Sequence, residues 1–262
     1  METLRGKTAL ITGSTSGIGL GIAHALAAEG CAIMLNGFGD DVEIERIKRD
    51  LFNRHEVKVA YAPADVTKPA EIRAMVADTL DRLGPVDILV NNAGIQYVAP
   101  IEQFPDDKWD AIIATNLSAA FHASKAVLPL MRNRGWGRIV NTASVLGLVA
   151  SENKTAYVAA KHGIVGLTKA IALEAATSGI TCNAICPGWV LTPLVQRQID
   201  DRVAQSRRSI EDEQRELLRE KQPLTNFTTV EQIAAMVVFL CSEAAANMTG
   251  SAISMDGGWL AR

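Results

Sequence analysis

The run Thr8-Ala9-Leu10-Ile11-Thr12-Gly13-Ser14-Thr15-Ser16-Gly17-Ile18-Gly19 is the segment from which the architecture can be inferred. Residues 8–11 are an apolar, strand-like run. A glycine-rich turn follows at once, and from 18 to 28 the pattern becomes that of an amphipathic helix, closed by Gly30. A strand running through a glycine loop into a helix is the opening unit of a nucleotide-binding α/β domain. The glycines are spaced G-x-x-x-G-x-G rather than G-x-G-x-x-G, but the physical logic is shared. Gly13 permits the turn, Gly17 lets the backbone approach a pyrophosphate, and Gly19 lets the helix lie close on the sheet. The helix N-terminus, approached through Thr15, Ser16, Gly17 and Ile18, offers unpaired N–H groups and the favourable end of the dipole to phosphates.

Outward from this unit, apolar strand-like runs recur at 32–35, 58–62, 86–90, 138–142 and 180–185. Helical patterns occupy 41–52, 69–83, 106–132 and 156–177. Nearly all-apolar strands alternating with helices predict a parallel sheet covered on both faces, a Rossmann-type doubly wound α/β fold in a single domain over 1–262. Residues 191–227 break the rhythm with a charge-rich helical stretch. It follows a strand whose carboxyl end should face the ligand crevice, so it reads as a substrate lid in preference to a plain exposed excursion.

Composition narrows the function classes. The 262 residues are 48% hydrophobic and 21% charged with a net charge of −3, a globular balance that does not call for nucleic acid or an anionic membrane as partner. No apolar run approaches the ~20 residues of a membrane helix. Residues 1–7 lack the apolar core of a signal peptide, so a soluble cytoplasmic protein is expected. Cys31, Cys182, Cys186 and Cys241 form no Cys-x-x-Cys pair and read as buried reduced thiols. His24, His55, His122 and His162 lie in unrelated segments without metal-ligand spacing, so no metal is expected.

The second strand ends Asn36-Gly37-Phe38. The usual acid for a free ribose hydroxyl is replaced by Asn36, yet no Arg or Lys is present for a 2′-phosphate, so NAD is expected over NADP. Tyr157 and Lys161 are four residues apart in a helical pattern and share a face. A phenol is a poor base near its reference value of ~10, and a nearby ammonium should lower that value, giving an acid/base suited to alcohol–ketone conversion. The strand at 138–142 delivers Ser144 at its carboxyl end.

Thr12-Gly13-x-x-x-Gly17-x-Gly19, Asn91-Asn92-Ala93-Gly94, Asn116, Ser144, Tyr157-x-x-x-Lys161 and Pro187-Gly188 together resemble the short-chain dehydrogenase/reductase family over essentially the whole chain. The resemblance implies that Tyr157 is the catalytic acid/base and that Ser144 holds the reacting oxygen. Lys161 would bind the nicotinamide ribose and lower the phenol's pKa, and Asn116 would support a water linking Lys161 to solvent. Asn92, Ala93 and Gly94 would line the cofactor, with Phe38 at the adenosine end and Asp65 and Val66 at the adenine. Pro187, Gly188, Val190 and Thr192 would border the nicotinamide. The family also implies a homotetramer, for which the apolar face of the Tyr157 helix and the Trp-bearing C-terminus are candidate contacts.

A narrower likeness, carried by residues 35–40, 93–96, 184–190 and 256–262, is to the bacterial D-3-hydroxybutyrate dehydrogenases of that family. It implies a small carboxylate-bearing alcohol gripped by Gln96, Ser144, Lys154, Tyr157 and Gln198, with Trp189 and Trp259 as apolar walls. Leu146 stands where members of that group usually carry a His, so one donor to the carboxylate is absent. This implies weaker binding or a more apolar acyl chain. The alternatives are the same chemistry on a 3-oxoacyl thioester or a sugar alcohol, or a nucleotide-sensing protein that retained the fold.

Overall fold

The computed structural model describes residues 4–261. Residues 1–3, part of the start read as lacking a leader, and Arg262, the last residue of the C-terminal likeness, lie outside the described residues. Seven strands form one parallel sheet in the order β3-β2-β1-β4-β5-β6-β7. They are β1 Thr8–Ile11, β2 Ala32–Asn36, β3 Val59–Ala62, β4 Ile88–Asn91, β5 Gly137–Thr142, β6 Ile180–Pro187 and β7 Ala252–Met255. The register pairs Ala9 with Ile33 on one side and with Ile88 on the other. Strand order therefore reverses at β1, and the crevice beyond the carboxyl ends of β1 and β4 is the ligand-binding place of such a sheet.

Alternation along the strands sorts the core into two layers. Ala9, Ile11, Ile33, Leu35, Ile88, Val90, Val140 and Ile185 face one layer, where α1 (Gly17–Ala28), α2 (Asp41–His55) and α9 (Val230–Cys241) pack. Leu10, Met34, Leu89, Ile139 and Cys182 face the other, under α3 (Pro69–Leu83), α5 (Ala119–Arg134) and α6 (Thr155–Ala175). All four cysteines are buried free thiols, as expected, and burial pushes the Cys31 and Cys182 thiols up to about 12.

Two features depart from the sequence reading, while the charge-rich stretch at 191–227 is helical as expected. The helix expected over 106–132 is α4 (Asp106–Ile113), a π-helical turn Ala114–Ser118 and α5, with Asn116 inside the π turn. A single wide turn of this kind commonly sits at a functional site. Helix α9 and edge strand β7 were not anticipated, although α9 begins with a capping box at Thr229 and Gln232. The 191–227 stretch contains two helices, α7 (Pro193–Ser206) and α8 (Ile210–Arg219). They pack on each other through Val195, Ile199 and Leu217, a small cluster separate from the two main layers and joined by Trp189 and Phe227. Arg202 ties them through Glu213 at 3.0 Å and Glu220 at 2.5 Å.

Candidate active site

The glycine loop is held in shape before anything binds it. Ser14 donates its backbone N–H to the Asn36 carbonyl at 2.7 Å, and its hydroxyl donates to Ile11. Thr12 Oγ1 accepts the backbone N–H groups of Asn92 and Ala93 at 3.0 and 3.1 Å, while the Asn92 amide donates to the Thr12 and Gly13 carbonyls. The Asn92-Ala93-Gly94 segment thus braces the loop across the β1–β4 crevice. Gly17 has φ +54, the left-handed region open chiefly to glycine. A Cβ on Gly19 would collide with the Gly13 carbonyl oxygen. Helix α1 begins after Ser16 with no side-chain cap and no acidic residue in its first turn. Its leading N–H groups are therefore left to an external anion, and the loop fits a dinucleotide pyrophosphate.

The adenosine end differs from the expectation at one residue. Asn36 is 1% exposed, and its amide donates to the Ala62 and Ala64 carbonyls at 3.1 and 2.8 Å. It staples β2 to the turn after β3 and does not stand in for the ribose-reading acid. Phe38 is 76% exposed beside it, and its carbonyl accepts the Thr15 hydroxyl at 2.8 Å. Asp65 is tied to Thr67 and Lys68, and Val66 packs in the core, so its reach toward an adenine is through backbone. Pro187, Gly188 and Val190 lie at the end of β6. Thr192 caps α7 with its hydroxyl accepting the Val195 N–H, and its side chain lies against Gly17.

Ser144, Tyr157 and Lys161 come together where β5 ends against α6. Ser144 caps a short turn, Val145–Gly147, its Oγ accepting the Leu146 N–H at 3.1 Å. The same hydroxyl hydrogen-bonds the Tyr157 phenol. Lys161 is 4% exposed. Its Nζ donates to the Thr142 carbonyl at 2.6 Å and lies 5.5 Å from the Tyr157 ring centre. The electrostatics correct the sequence reading. Burial raises the Tyr157 phenol above its ordinary value, with the Ser144 hydrogen bond opposing it, and no lowering by Lys161 is felt. Burial instead acts on the lysine, pushing Lys161 down to about 8. Asn116 sits on the far wall, its side chain spent on the backbone N–H and carbonyl of Ile95 at 2.9 and 3.0 Å.

At the N-terminal end of α6 a cavity of about 430 Å³ is lined by Lys154, Trp189, Gln198, Lys221 and Trp259, with Asp201 and Glu220 also on its wall. Lys154 is the N-cap residue of α6, one turn before Tyr157. Its Nζ donates to Gln198 Oε1 at 3.4 Å and lies 5.2 Å from the Trp189 ring. Burial lowers its pKa, with Lys221 adding to the effect. The Trp189 and Trp259 rings face each other at 5.8 Å. Gln96 is carried on the loop after β4, which is fastened to the Lys154 loop by the Ala99 N–H donating to Asn153 at 3.0 Å. Its Nε2 is buried and, among the described residues, has no partner. Leu146 is buried where the narrower likeness would place a His. A wider depression of about 780 Å³ between α9 and β7 holds none of these side chains. Among the described residues, no group of three or more His, Cys, Asp or Glu side chains could hold a metal ion, and no helix is long and apolar enough to cross a membrane.

Sequence reasoning did not find the Thr142 carbonyl that holds Lys161, nor the chain from Asn91 to Asn141 to Thr168, each step 2.8 Å, that ties β4, β5 and α6 behind the trio. Backbone acceptors carry no side-chain signal, and buried amides read as ordinary polar residues.

Residues 13–260 match the family model described as Enoyl-(Acyl carrier protein) reductase. A D-beta-hydroxybutyrate dehydrogenase of Cupriavidus necator is 55% identical over 99% of this chain and 100% of its own length. One of Rhizobium meliloti is 54% identical over 98% of this chain and 99% of its own. Among solved structures, the L-sorbose reductase of Gluconobacter frateurii complexed with NADPH and L-sorbose aligns with a TM-score of 0.95 at 33% identity, over 100% of both chains.

Proposed function

The chain belongs to the short-chain dehydrogenase/reductase family, and from that premise we propose that it interconverts (R)-3-hydroxybutyrate and acetoacetate with NAD as its redox partner. The observation that carries this reading is the cavity at the N-terminal end of α6, the helix that carries Tyr157, where one desolvated lysine, Lys154, meets Gln198 and the Trp189 ring, with Trp259 beside it. A small anionic substrate with a short apolar body suits a point charge, amide groups and two indole walls. The full-length relatives of Cupriavidus and Rhizobium support the same substrate. A thioester or a sugar alcohol would leave Lys154 buried without an anion, at a cost.

In this reading Lys154 and Gln198 hold the carboxylate, and the unpaired Gln96 Nε2 supplies a further donor. Ser144 donates its hydroxyl to the reacting oxygen as negative charge develops there. Tyr157 takes the hydroxyl proton at its phenolic oxygen in oxidation and returns it in reduction. A bound nicotinamide supplies the acceptor for the hydride leaving the substrate carbon. Lys161, which the ligand-free site holds on the Thr142 carbonyl, would lower the cost of the phenolate once a bound ribose supported its charge. The region around Phe38 supports NAD, because Phe38 cannot neutralise a 2′-phosphate. A homotetramer in the cytoplasm completes the reading, and the exposed Phe121 and Leu173 on α5 and α6 support the assembly.

The deciding assay follows NADH formation with each enantiomer of 3-hydroxybutyrate, then compares kcat/KM for NAD and NADP. Turnover of the (R) form with NAD is expected. Equal rates for both enantiomers, or none, remove the substrate assignment, and a preference for NADP removes the cofactor assignment.

A further inference from the structure

Gln222 is 1% exposed, and nothing in its sequence neighbourhood singles it out. It follows α8, donating its backbone N–H to the Leu218 carbonyl at 2.7 Å. Its side chain reaches two further segments. Oε1 accepts the Trp189 N–H at 2.9 Å, and Nε2 donates to the Leu224 and Asn226 carbonyls at 3.2 and 3.3 Å. Two glycines flank the amide. A Cβ on Gly188 would stand 2.7 Å from Oε1, and one on Gly257 would stand 2.8 Å from Nε2. The two glycines therefore form a socket that this side chain fills. Around the socket meet the end of β6, the segment leaving α8 and the C-terminal turn. Each contributes a wall of the substrate cavity: Trp189 directly after Gly188, Lys221 directly before Gln222, and Trp259 two residues after Gly257.

We propose that Gln222 is a specificity-determining positioning residue. It fixes the spacing of Trp189 and Trp259 and the register of α8 against them, and through that spacing the length of acyl chain the cavity accepts. The role in selecting acyl length rests on the hydroxy-acid reading above. A buried amide satisfied at both ends holds its neighbours because any shift strands a donor or an acceptor, which disfavours the shifted arrangement by about tenfold or more. The β6–β7 ladder joins the two indole-bearing segments up to Met255, with the Gly188 N–H donating to the Met255 carbonyl at 2.9 Å, and beyond that point this junction ties them again. Trp189 receives the amide's support on its backbone, and the turn bearing Trp259 is tied to the same segment by the Leu224 N–H donating to Gly257 at 3.0 Å.

The test compares wild type with Gln222→Met, which keeps length and removes both hydrogen-bonding ends, and with Gln222→Glu, which keeps the acceptor toward Trp189. Near-ultraviolet circular dichroism of the ligand-free protein reads the indole pair directly. The Met variant should lose much of its tryptophan signal. Its KM for 3-hydroxybutyrate should rise about tenfold, with kcat and the KM for NAD changed by less than about twofold. Its preference for 3-hydroxybutyrate over 3-hydroxyvalerate should narrow. In the Glu variant an ionised carboxylate would face two carbonyls, whereas a protonated one again offers a donor to them. Its KM should therefore fall toward the wild-type value as the pH is lowered to about 5, since burial raises a carboxyl pKa. The proposal is overturned by an unchanged tryptophan signal and chain-length preference in the Met variant. Parallel loss of kcat and NAD affinity with no acid rescue of the Glu variant overturns it equally. If the Met variant does not fold, the acid rescue alone decides. A wild type that ignores hydroxy acids removes the functional reading, while the dichroism still tests whether Gln222 positions the indoles.

Discussion

Replacing Lys161 with Met should make the ligand-free protein more stable while abolishing its chemistry. The ammonium is buried with one hydrogen bond from the protein, to the Thr142 carbonyl at 2.6 Å, and burial pushes its pKa from 10.5 down to about 8. That difference corresponds to about 3 kcal/mol of disfavoured charge in the folded state. Losing the bond to Thr142 returns about 1 kcal/mol, so Lys161→Met should gain about 2 kcal/mol at neutral pH, or about 5 °C in Tm for a chain of this size. The pH dependence follows from the sign of the shift. The folded value lies below the unfolded one, so between about 8 and 10.5 the unfolded chain holds the proton that the folded chain has lost. Wild-type stability from this group therefore rises with pH across that window. The variant has no such slope, so its advantage should be constant below about pH 8, shrink as pH rises and be reversed, by about 1 kcal/mol, at about pH 10.5. Urea unfolding of both proteins at several pH values measures the difference directly. A variant less stable than wild type at pH 7, or an advantage independent of pH, would refute the claim that burial rather than an ion pair governs this lysine.

Tyr157→Phe should reduce turnover by about a thousandfold while NADH affinity, read by fluorescence titration, stays within about twofold; persistent turnover would remove the phenol from the chemistry. Lys154→Met should raise the KM for 3-hydroxybutyrate by about 10–100-fold, the range of a charged hydrogen bond. A neutral secondary alcohol of similar length should be unaffected, and an equal loss on both substrates in initial-rate assays would argue that Lys154 merely supports the fold.

The layout of the site was legible because its geometry is local. Tyr157 and Lys161 are four residues apart on one helix, and Gly13, Gly17 and Gly19 sit on one strand–turn–helix unit, so periodicity and spacing bring each set together. What was not legible depends on burial. The expected lowering of the phenol required Lys161 to act as an exposed cation would. In the fold the lysine is enclosed and hydrogen-bonded to a backbone carbonyl, and enclosure raises the phenol as well. Asn36 was read by its position in a loop pattern, whereas the fold turns its amide inward onto Ala62 and Ala64. Helix α9 and strand β7 lie beyond the charge-rich excursion, which ends at 227, and the sequence reading assigns them no element, although α9 packs directly against α1.

The disfavoured state of Lys161 gives the site a physical reason to bind its cofactor. Without a ligand, burial disfavours both the charged form of the lysine and the ionised form of the phenol. Hydroxyl acceptors at a ribose would offer the ammonium the partners the protein withholds, and the charged lysine would then stabilise a phenolate that is otherwise penalised. Binding and acid/base competence are coupled in this way without any change of fold. The coupling makes the stability gained by Lys161→Met conditional. Saturating NADH should stabilise wild type more than the variant, because only wild type recovers the cost of its buried charge on binding.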